Sequence, residues 1–256
     1  MFKKTLAIGA VALFTLTSTV FAASAASDVA PGNPPRRTPG SASGAPRYNA
    51  QIDPALAVAD LTPLTEAEIS ALQFMREEEK LAHDVYVTLY EQWDLRLFNN
   101  IARSEQQHTD AVAYLLERYA VDDLAADTGF GEFVNSDLQE LYDDLIAQGS
   151  NSVADALKVG AAIEEIDIMD LEERLADVTN AEVRRVFENL TFGSENHLRA
   201  FVNNIEVQTG ETYVPQFMDQ ADYDAIVEAD GAMGGRGGAG GRGATGGRGG
   251  AGGRRF

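Results

Sequence analysis

Apolar residues recur at alternating steps of three and four along four long stretches, the pattern of helices that each bury one face. The first stretch begins at the capping-box sequence Thr65-Glu66-Ala67-Glu68 and runs to Trp93. The second covers residues 98–119 and follows so short a connection that it predicts an antiparallel neighbour. The third is predicted to begin at Ser152 and the fourth at the box Thr179-x-x-Glu182.

A long connection with Gly129 and Gly131 separates the second and third stretches. It contains a shorter helical pattern, opened by the box Ser136-x-x-Gln139 and closed near Gly149. The pattern therefore predicts an all-α fold: an antiparallel four-helix bundle with a long crossover that carries a short extra helix between helices two and three.

Each of the four predicted apolar faces is interrupted near its middle by polar residues. These are Glu79 on the first helix, Glu105 and His108 on the second, Glu164 on the third, and Ser194 and His197 on the fourth. Mid-helix positions of an antiparallel bundle lie at similar heights, so these side chains should form one polar layer. Buried carboxylates are costly unless they are paired or bind a metal, and the apolar faces contain no Lys or Arg. We therefore expect one or two dications, bound by Glu79, Glu105, His108, Glu164 and His197.

The donor set narrows the choice of metal. Carboxylate and imidazole ligands suit iron, manganese or zinc. The chain has no cysteine, which excludes thiolate sites, iron–sulfur clusters and disulfides, and argues against copper(I).

Neighbouring polar residues leave alternatives open. Glu78 and Glu165 flank the apolar faces, and Asp167 follows Glu164 by three residues. Asp167 is interpreted either as a metal ligand or as a hydrogen-bond acceptor that fixes the tautomer of a histidine. Tyr86 is interpreted as core packing rather than as a redox tyrosine, and His83 as a surface residue.

Composition divides the chain into five parts. Residues 1–25 have the basic start, apolar run and Ala23-Ser24-Ala25 site of a secretory signal peptide. A Pro/Gly/Ser-rich stretch, 26–61, predicts a disordered linker. The bundle occupies 62–209 and a short appendage 210–230. Residues 231–256 form a Gly/Arg-rich tail that is predicted to be disordered.

Charge is unevenly distributed. Residues 51–230 contain 10 Lys and Arg against 39 Asp and Glu, a net charge of −29, whereas residues 231–256 contain 5 Arg and no acid. Such an acidic body would repel duplex nucleic acid. We interpret this negative charge first as a source of solubility, and the attraction of cations as a secondary effect.

The polar motifs resemble the ligands of ferritin-like di-iron proteins: Glu79-x-x-Ala82, Glu105-x-x-His108, Glu164 and His197. Over about 64–206, the runs around these residues resemble the exported ferritin-like family called domain of unknown function 2202. This resemblance implies a ferritin-like bundle, iron, and oxidation of Fe(II) with oxygen or peroxide.

One position departs from the symmetric ferritin-like pattern. Ser194 stands three residues before His197, where a second Glu-x-x-His motif would have glutamate. Glu195 is one residue away and points about 100° aside, so it could reach the centre only if Gly193 loosens the helix. An asymmetric site is therefore expected.

Two functions follow from these observations. The first is an exported, iron-binding protein that oxidises Fe(II) or reduces oxygen or peroxide, in the periplasm, at the cell surface or secreted. The second is a non-enzymatic surface or matrix protein with a structural metal, whose cationic tail contacts anionic surfaces. The linker and the tail disfavour a large closed shell, whereas a dimer or another open oligomer fits either function.

Overall fold

The computed structural model describes residues 61–229, which form six helices and no strand. The helices are α1 (Glu66–Trp93), α2 (Arg96–Arg118), α3 (Ser136–Gly149), α4 (Val153–Leu175), α5 (Ala181–Thr209) and α6 (Gln220–Glu228). The predicted signal peptide, nearly all of the linker, and the Gly/Arg tail lie outside the described residues. None of the helices within 61–229 is long and apolar enough to cross a membrane.

The helix starts are fixed by side-chain caps. Thr65 and Glu68 form the predicted capping box, and the Ser152 hydroxyl accepts from the Asp155 N–H. Two predicted starts were wrong by one residue. The cap of α3 is Asn135 rather than Ser136, and the cap of α5 is Asn180 rather than Thr179. In both cases an asparagine amide oxygen accepts from two backbone N–H groups.

The long helices pack as two pairs, α1 along α2 and α4 along α5, and α1 also contacts α4 while α2 contacts α5. The two-residue connection between α1 and α2 makes that pair antiparallel. The crossover helix α3 packs against α1 and α4, and α6 packs against α5. The predicted extra helix and C-terminal appendage are therefore both present.

The core consists of two hydrophobic clusters. One contains Tyr86, Phe98 and Phe201, and the other contains Leu72, Leu115 and Phe187. Along α1, α2 and α5 the chain passes from one cluster to the other through the polar residues predicted above. The polar layer therefore lies inside the core, between two apolar regions.

Candidate metal centre

Glu105 on α2 lies at the middle of the polar layer. Its side chain is buried, and its two carboxylate oxygens face two different histidines. Oε2 lies 2.8 Å from Nδ1 of His108, one turn along the same helix, and Oε1 lies 2.7 Å from Nδ1 of His197 on α5. One carboxylate thus joins two imidazoles.

Two further carboxylates complete two compact groups that share Glu105. The Glu79 group contains Glu79, Glu105 and His108, and the Glu164 group contains Glu105, Glu164 and His197. Within each group, the ligand atoms all lie within 4.8 Å of one another. The structure therefore brings together all five predicted ligands, in two groups that each contain two carboxylates and one imidazole.

The close N···O contacts fit the ligand shell of a cation better than a set of hydrogen bonds. His197 Nδ1 and Glu105 Oε1 are only 2.7 Å apart, yet neither atom has a hydrogen-bond partner. Glu79 Oε1 is also buried without a partner. With metal–ligand distances of about 2.1 Å, adjacent ligand atoms at right angles lie about 3 Å apart. The residues present therefore fit a metal ion.

The charges of the layer are strongly coupled. Burial raises the pKa of the Glu79 carboxyl to about 7, although His108 opposes this shift. Burial would also raise the pKa of Glu105, but the two imidazoles outweigh it and hold that pKa below its usual range. Burial alone would lower the pKa of His197, but the carboxylates of Glu105 and Glu164 raise it to about 10. In the described residues, the ion pairs of Glu79, Glu105 and Glu164 are with histidines.

Tyr86 connects the layer to the aromatic cluster beside it. Its ring is fully buried and packs against Phe98 and Phe201, with centroid separations of 6.2 and 5.3 Å. Its hydroxyl donates to Glu164 Oε1 at 2.5 Å. Tyr86 therefore has the predicted packing role and also orients a candidate ligand.

Asp167 and Ser194 form a second contact between α4 and α5 in the layer. The Ser194 hydroxyl donates to Asp167 Oδ2 at 2.5 Å, and both residues are buried. Asp167 Oδ1 is buried without a hydrogen-bond partner. Of the two alternatives left open for Asp167, fixing a histidine is not the contact observed.

The other flanking residues lie in different surroundings. Glu165 accepts from the Tyr213 hydroxyl at 2.6 Å and from the backbone N–H groups of 216–218, so it anchors the C-terminal appendage. Glu195 pairs with Arg199 at 2.9 Å. Glu78 is buried beside Asp170 and lines a small cavity together with Asp167. These three glutamates are outside both ligand groups.

Gly193 has a role that the sequence did not reveal. A loosened helix at Gly193 was the condition for Glu195 to reach the centre, and that condition is not met, because α5 continues through Gly193. Instead, the ring of His108 lies against its backbone, and a Cβ at this position would be 2.6 Å from His108 Nε2. The missing side chain makes room for a ligand from the opposite helix pair. Only the distance between α2 and α5 could have indicated this.

Comparisons with known proteins identify close relatives. Residues 68–230 match the family described as "Uncharacterized protein domain (DUF2202)". Uncharacterized protein MJ0754 of Methanocaldococcus jannaschii is 46% identical over 172 residues, which cover 67% of this chain and 92% of the relative. The crystal structure of hypothetical protein MJ0754 matches with a TM-score of 0.64, covering 66% of this chain and 97% of that chain. The chain therefore belongs to the DUF2202 family, as its polar motifs predicted.

Proposed function

We propose that this protein binds two transition-metal ions in the polar layer, with iron as the primary candidate and manganese or zinc as alternatives. The observation that carries the proposal is the position of Glu105, whose two oxygens face two histidines in two different ligand groups. A buried carboxylate shared in this way is suited to bridging two cations. Glu79 and His108 complete one site, and Glu164 and His197 complete the other.

A ferritin-like bundle is the architecture that we propose for these helices. Two observations support it: α1–α2 and α4–α5 form pairs joined by a crossover, and the two candidate ligand groups draw residues from all four long helices. In such bundles the metal ligands project inward from facing helices.

Iron held in the layer supplies one-electron redox chemistry, and oxidation of Fe(II) by oxygen or peroxide is the minimal reaction. The chain's own contribution is to bind and shield. Tyr86 holds the Glu164 carboxylate through its hydroxyl, and Phe98 and Phe201 exclude water on that side of the layer. The side chains of His108 and His197 each retain 12% exposure, which makes the histidine side the route of access for small molecules.

Metal binding is tested by reconstituting metal-free protein with Fe(II) without oxygen and measuring bound iron. We expect about two ions per chain, and the loss of both in Glu105→Gln because both groups share this residue. Glu165→Gln is the matched control, since Glu165 is equally buried but serves the C-terminal segment. Iron content near zero in the unaltered protein, or unchanged in Glu105→Gln, would contradict the proposal.

A purely structural metal is the second candidate function. It is favoured by the position of the layer between two hydrophobic clusters, where an ion would join both helix pairs. Exposing the iron-loaded protein to oxygen separates the candidates. An enzyme oxidises Fe(II) faster than buffer does, whereas a structural site leaves the rate unchanged.

We also propose that the protein acts outside the cytoplasm, on the basis of the sequence of residues 1–25. Determination of the N-terminal residue of the mature protein tests this: a start at Ala26 supports export, and a start at Met1 contradicts it.

For the tail, deletion of residues 231–256 should weaken retention on anionic surfaces at low salt if the tail is a tether.

A further inference from the structure

The fourth long helix, α5, contributes one imidazole and no carboxylate to the two ligand groups. Its residue one turn before His197 is Ser194, which is fully buried. On the facing helix α4, Asp167 stands one turn after Glu164 and receives the Ser194 hydroxyl bond. The carboxylate missing from α5 therefore has a counterpart on α4.

The contacts around Asp167 and Ser194 indicate at which end of the polar layer the Asp167 carboxylate lies. Glu164 Oε2 lies 3.5 Å from His197 Nδ1, and the Asp167–Ser194 bond is one helical turn away from that contact. Gly193, the neighbour of Ser194, touches the ring of His108. Asp167 therefore lies at the end of the layer that contains His108, which belongs to the Glu79 group.

The two oxygens of Asp167 differ in their surroundings. Oδ2 is held by Ser194, while Oδ1 is buried without a partner. Burial, followed by the carboxylates of Glu79, Glu164 and Glu105, raises the pKa of Asp167, although the Ser194 hydroxyl opposes this shift.

We propose that Asp167 Oδ1 is a further ligand of the ion bound by the Glu79 group, and that Ser194 positions it through the bond to Oδ2. In the symmetric pattern, a glutamate at position 194 of α5 would supply this carboxylate. Here the shorter side chain of Asp167 on α4, held by the Ser194 hydroxyl, would take its place. The centre then receives four carboxylates and two imidazoles, and its asymmetry lies in which helix supplies the fourth carboxylate. This inference rests on the proposed metal site.

The test uses Mn(II) as the probe, titrated into the metal-free full-length protein, with bound and free ions counted at equilibrium. Asp167→Asn keeps the size of the side chain and removes its charge. We expect one ion to bind at least about tenfold more weakly and the other to be little changed. At Mn(II) concentrations that fill only the tighter site, electron paramagnetic resonance should then show isolated Mn(II) in place of a coupled pair. Asp170→Asn, three residues further along α4, is the control and should retain the coupled pair.

Three results would overturn the inference. Unchanged affinity of Asp167→Asn for both ions means that Asp167 is not a ligand. An equal loss of affinity for both ions means that Asp167 supports the whole layer instead of binding one ion. A lower affinity for an ion that His108→Ala leaves unchanged means that Asp167 does not serve the Glu79 group. If the unaltered protein binds no Mn(II), Fe(II) or Zn(II), the proposed function itself fails, and this outcome is distinct from the other three.

A second pair of variants tests the role of Ser194. Ser194→Ala removes the hydroxyl and should lower the affinity for the same ion by about tenfold. The double variant Asp167→Ala with Ser194→Glu moves the carboxylate to α5, and recovery of the coupled pair relative to Asp167→Ala supports a ligand role. If Ser194→Ala instead lowers the affinity for the ion of the Glu164 group, Ser194 does not position Asp167.

Discussion

At the scale of single residues, the buried acids are distinguished by their partners. Three consecutive glutamates on α1 are all buried, yet only Glu79 belongs to a ligand group. Glu77 accepts from the N–H groups of Val134 and Asn135 before α3, and Glu78 lies beside Asp170. Periodicity selected Glu79 because it alone continues the apolar face, whereas the partners of the other two come from segments distant in sequence.

The sequence predicted the five members of the two candidate ligand groups but not the residues that shape the space around them. Glu79, Glu105, His108, Glu164 and His197 interrupt apolar faces, and one chain is sufficient to see that. Gly193 and the pairing of Ser194 with Asp167 depend on how closely α2 and α4 approach α5. Helical periodicity contains no information on distances between helices.

We predict that Gly193→Ala lowers the affinity for the ion bound by the Glu79 group. The new methyl group would collide with the His108 ring and displace it from Glu79 and Glu105. Alanine favours a helix interior over glycine by about 0.5–1 kcal/mol, so helix formation itself should improve. Equilibrium titration with Mn(II) should show one ion weakened by at least about tenfold, with α-helical circular dichroism unchanged. Wild-type affinity for both ions would show that the ring can move aside without cost.

Metal binding should release protons. The pKa of His197 is raised to about 10 and that of His108 lies well above its usual value, so both are protonated at neutral pH in the metal-free protein. A bound metal requires neutral imidazole and ionised carboxylate, so about two protons should leave the histidines and a further fraction should leave Glu79, whose pKa is about 7. Affinity should therefore rise with pH. Calorimetric titrations in buffers of different ionisation enthalpy measure the number of protons released. His197→Ala should release about one proton fewer, and buffer-independent heats would contradict the prediction.

At the scale of helices, two predicted starts are confirmed and two are wrong by one residue. The confirmed caps are Thr65 and Ser152. At α5 the local sequence was ambiguous, because Thr179 and Asn180 are both good caps. The structure resolves this through Glu68 of α1, which accepts from the Thr179 hydroxyl and from both backbone N–H groups and leaves Asn180 as the cap. A contact between distant helices thus decided a local boundary.

Glu68 should make the stability of the protein depend on pH in the acid range. Burial opposes its ionisation, but backbone N–H groups of Thr65, Asn180 and Thr179 lower the pKa of its carboxyl from 4.5 to about 2. Because the folded-state pKa is the lower one, its stabilising contribution is complete above the unfolded value of about 4.5 and is lost as pH falls toward 2. Glu68→Gln should therefore lower the free energy of unfolding at pH 7, with a difference from wild type that shrinks on acidification.

Urea unfolding of both proteins at several pH values between 7 and 2 measures this difference. Glu66→Gln is the control, since Glu66 is exposed in the same first turn of α1. A constant difference across the pH range would mean that the carboxylate charge is not what joins α1 to the start of α5.

At the scale of the whole molecule, the polar layer should make folding and metal binding interdependent. The layer separates two hydrophobic clusters and holds several carboxylates, and within residues 61–229 the ion pairs of Glu79, Glu105 and Glu164 are with two histidines. Buried like charges repel in the metal-free protein, and cations that bind only the folded state stabilise it. The all-α fold could be predicted from four apolar periodicities, but this division of the core appears only once the helices are packed.

We therefore predict that Mn(II) at one hundred times its dissociation constant stabilises the folded protein by about 2.7 kcal/mol per ion. In a domain of this size each kcal/mol raises Tm by about 2–4 °C, so calorimetry should record an upward shift of roughly 5–11 °C per ion. Glu105→Gln should abolish the shift and should also lower the Tm of the metal-free protein, because it removes the carboxylate that pairs with both histidines. Mg²⁺ at the same concentration is the control, since imidazole ligands disfavour it. An equal shift with Mg²⁺, or a shift that survives in Glu105→Gln, would place the stabilising cations on the acidic surface instead of in the polar layer.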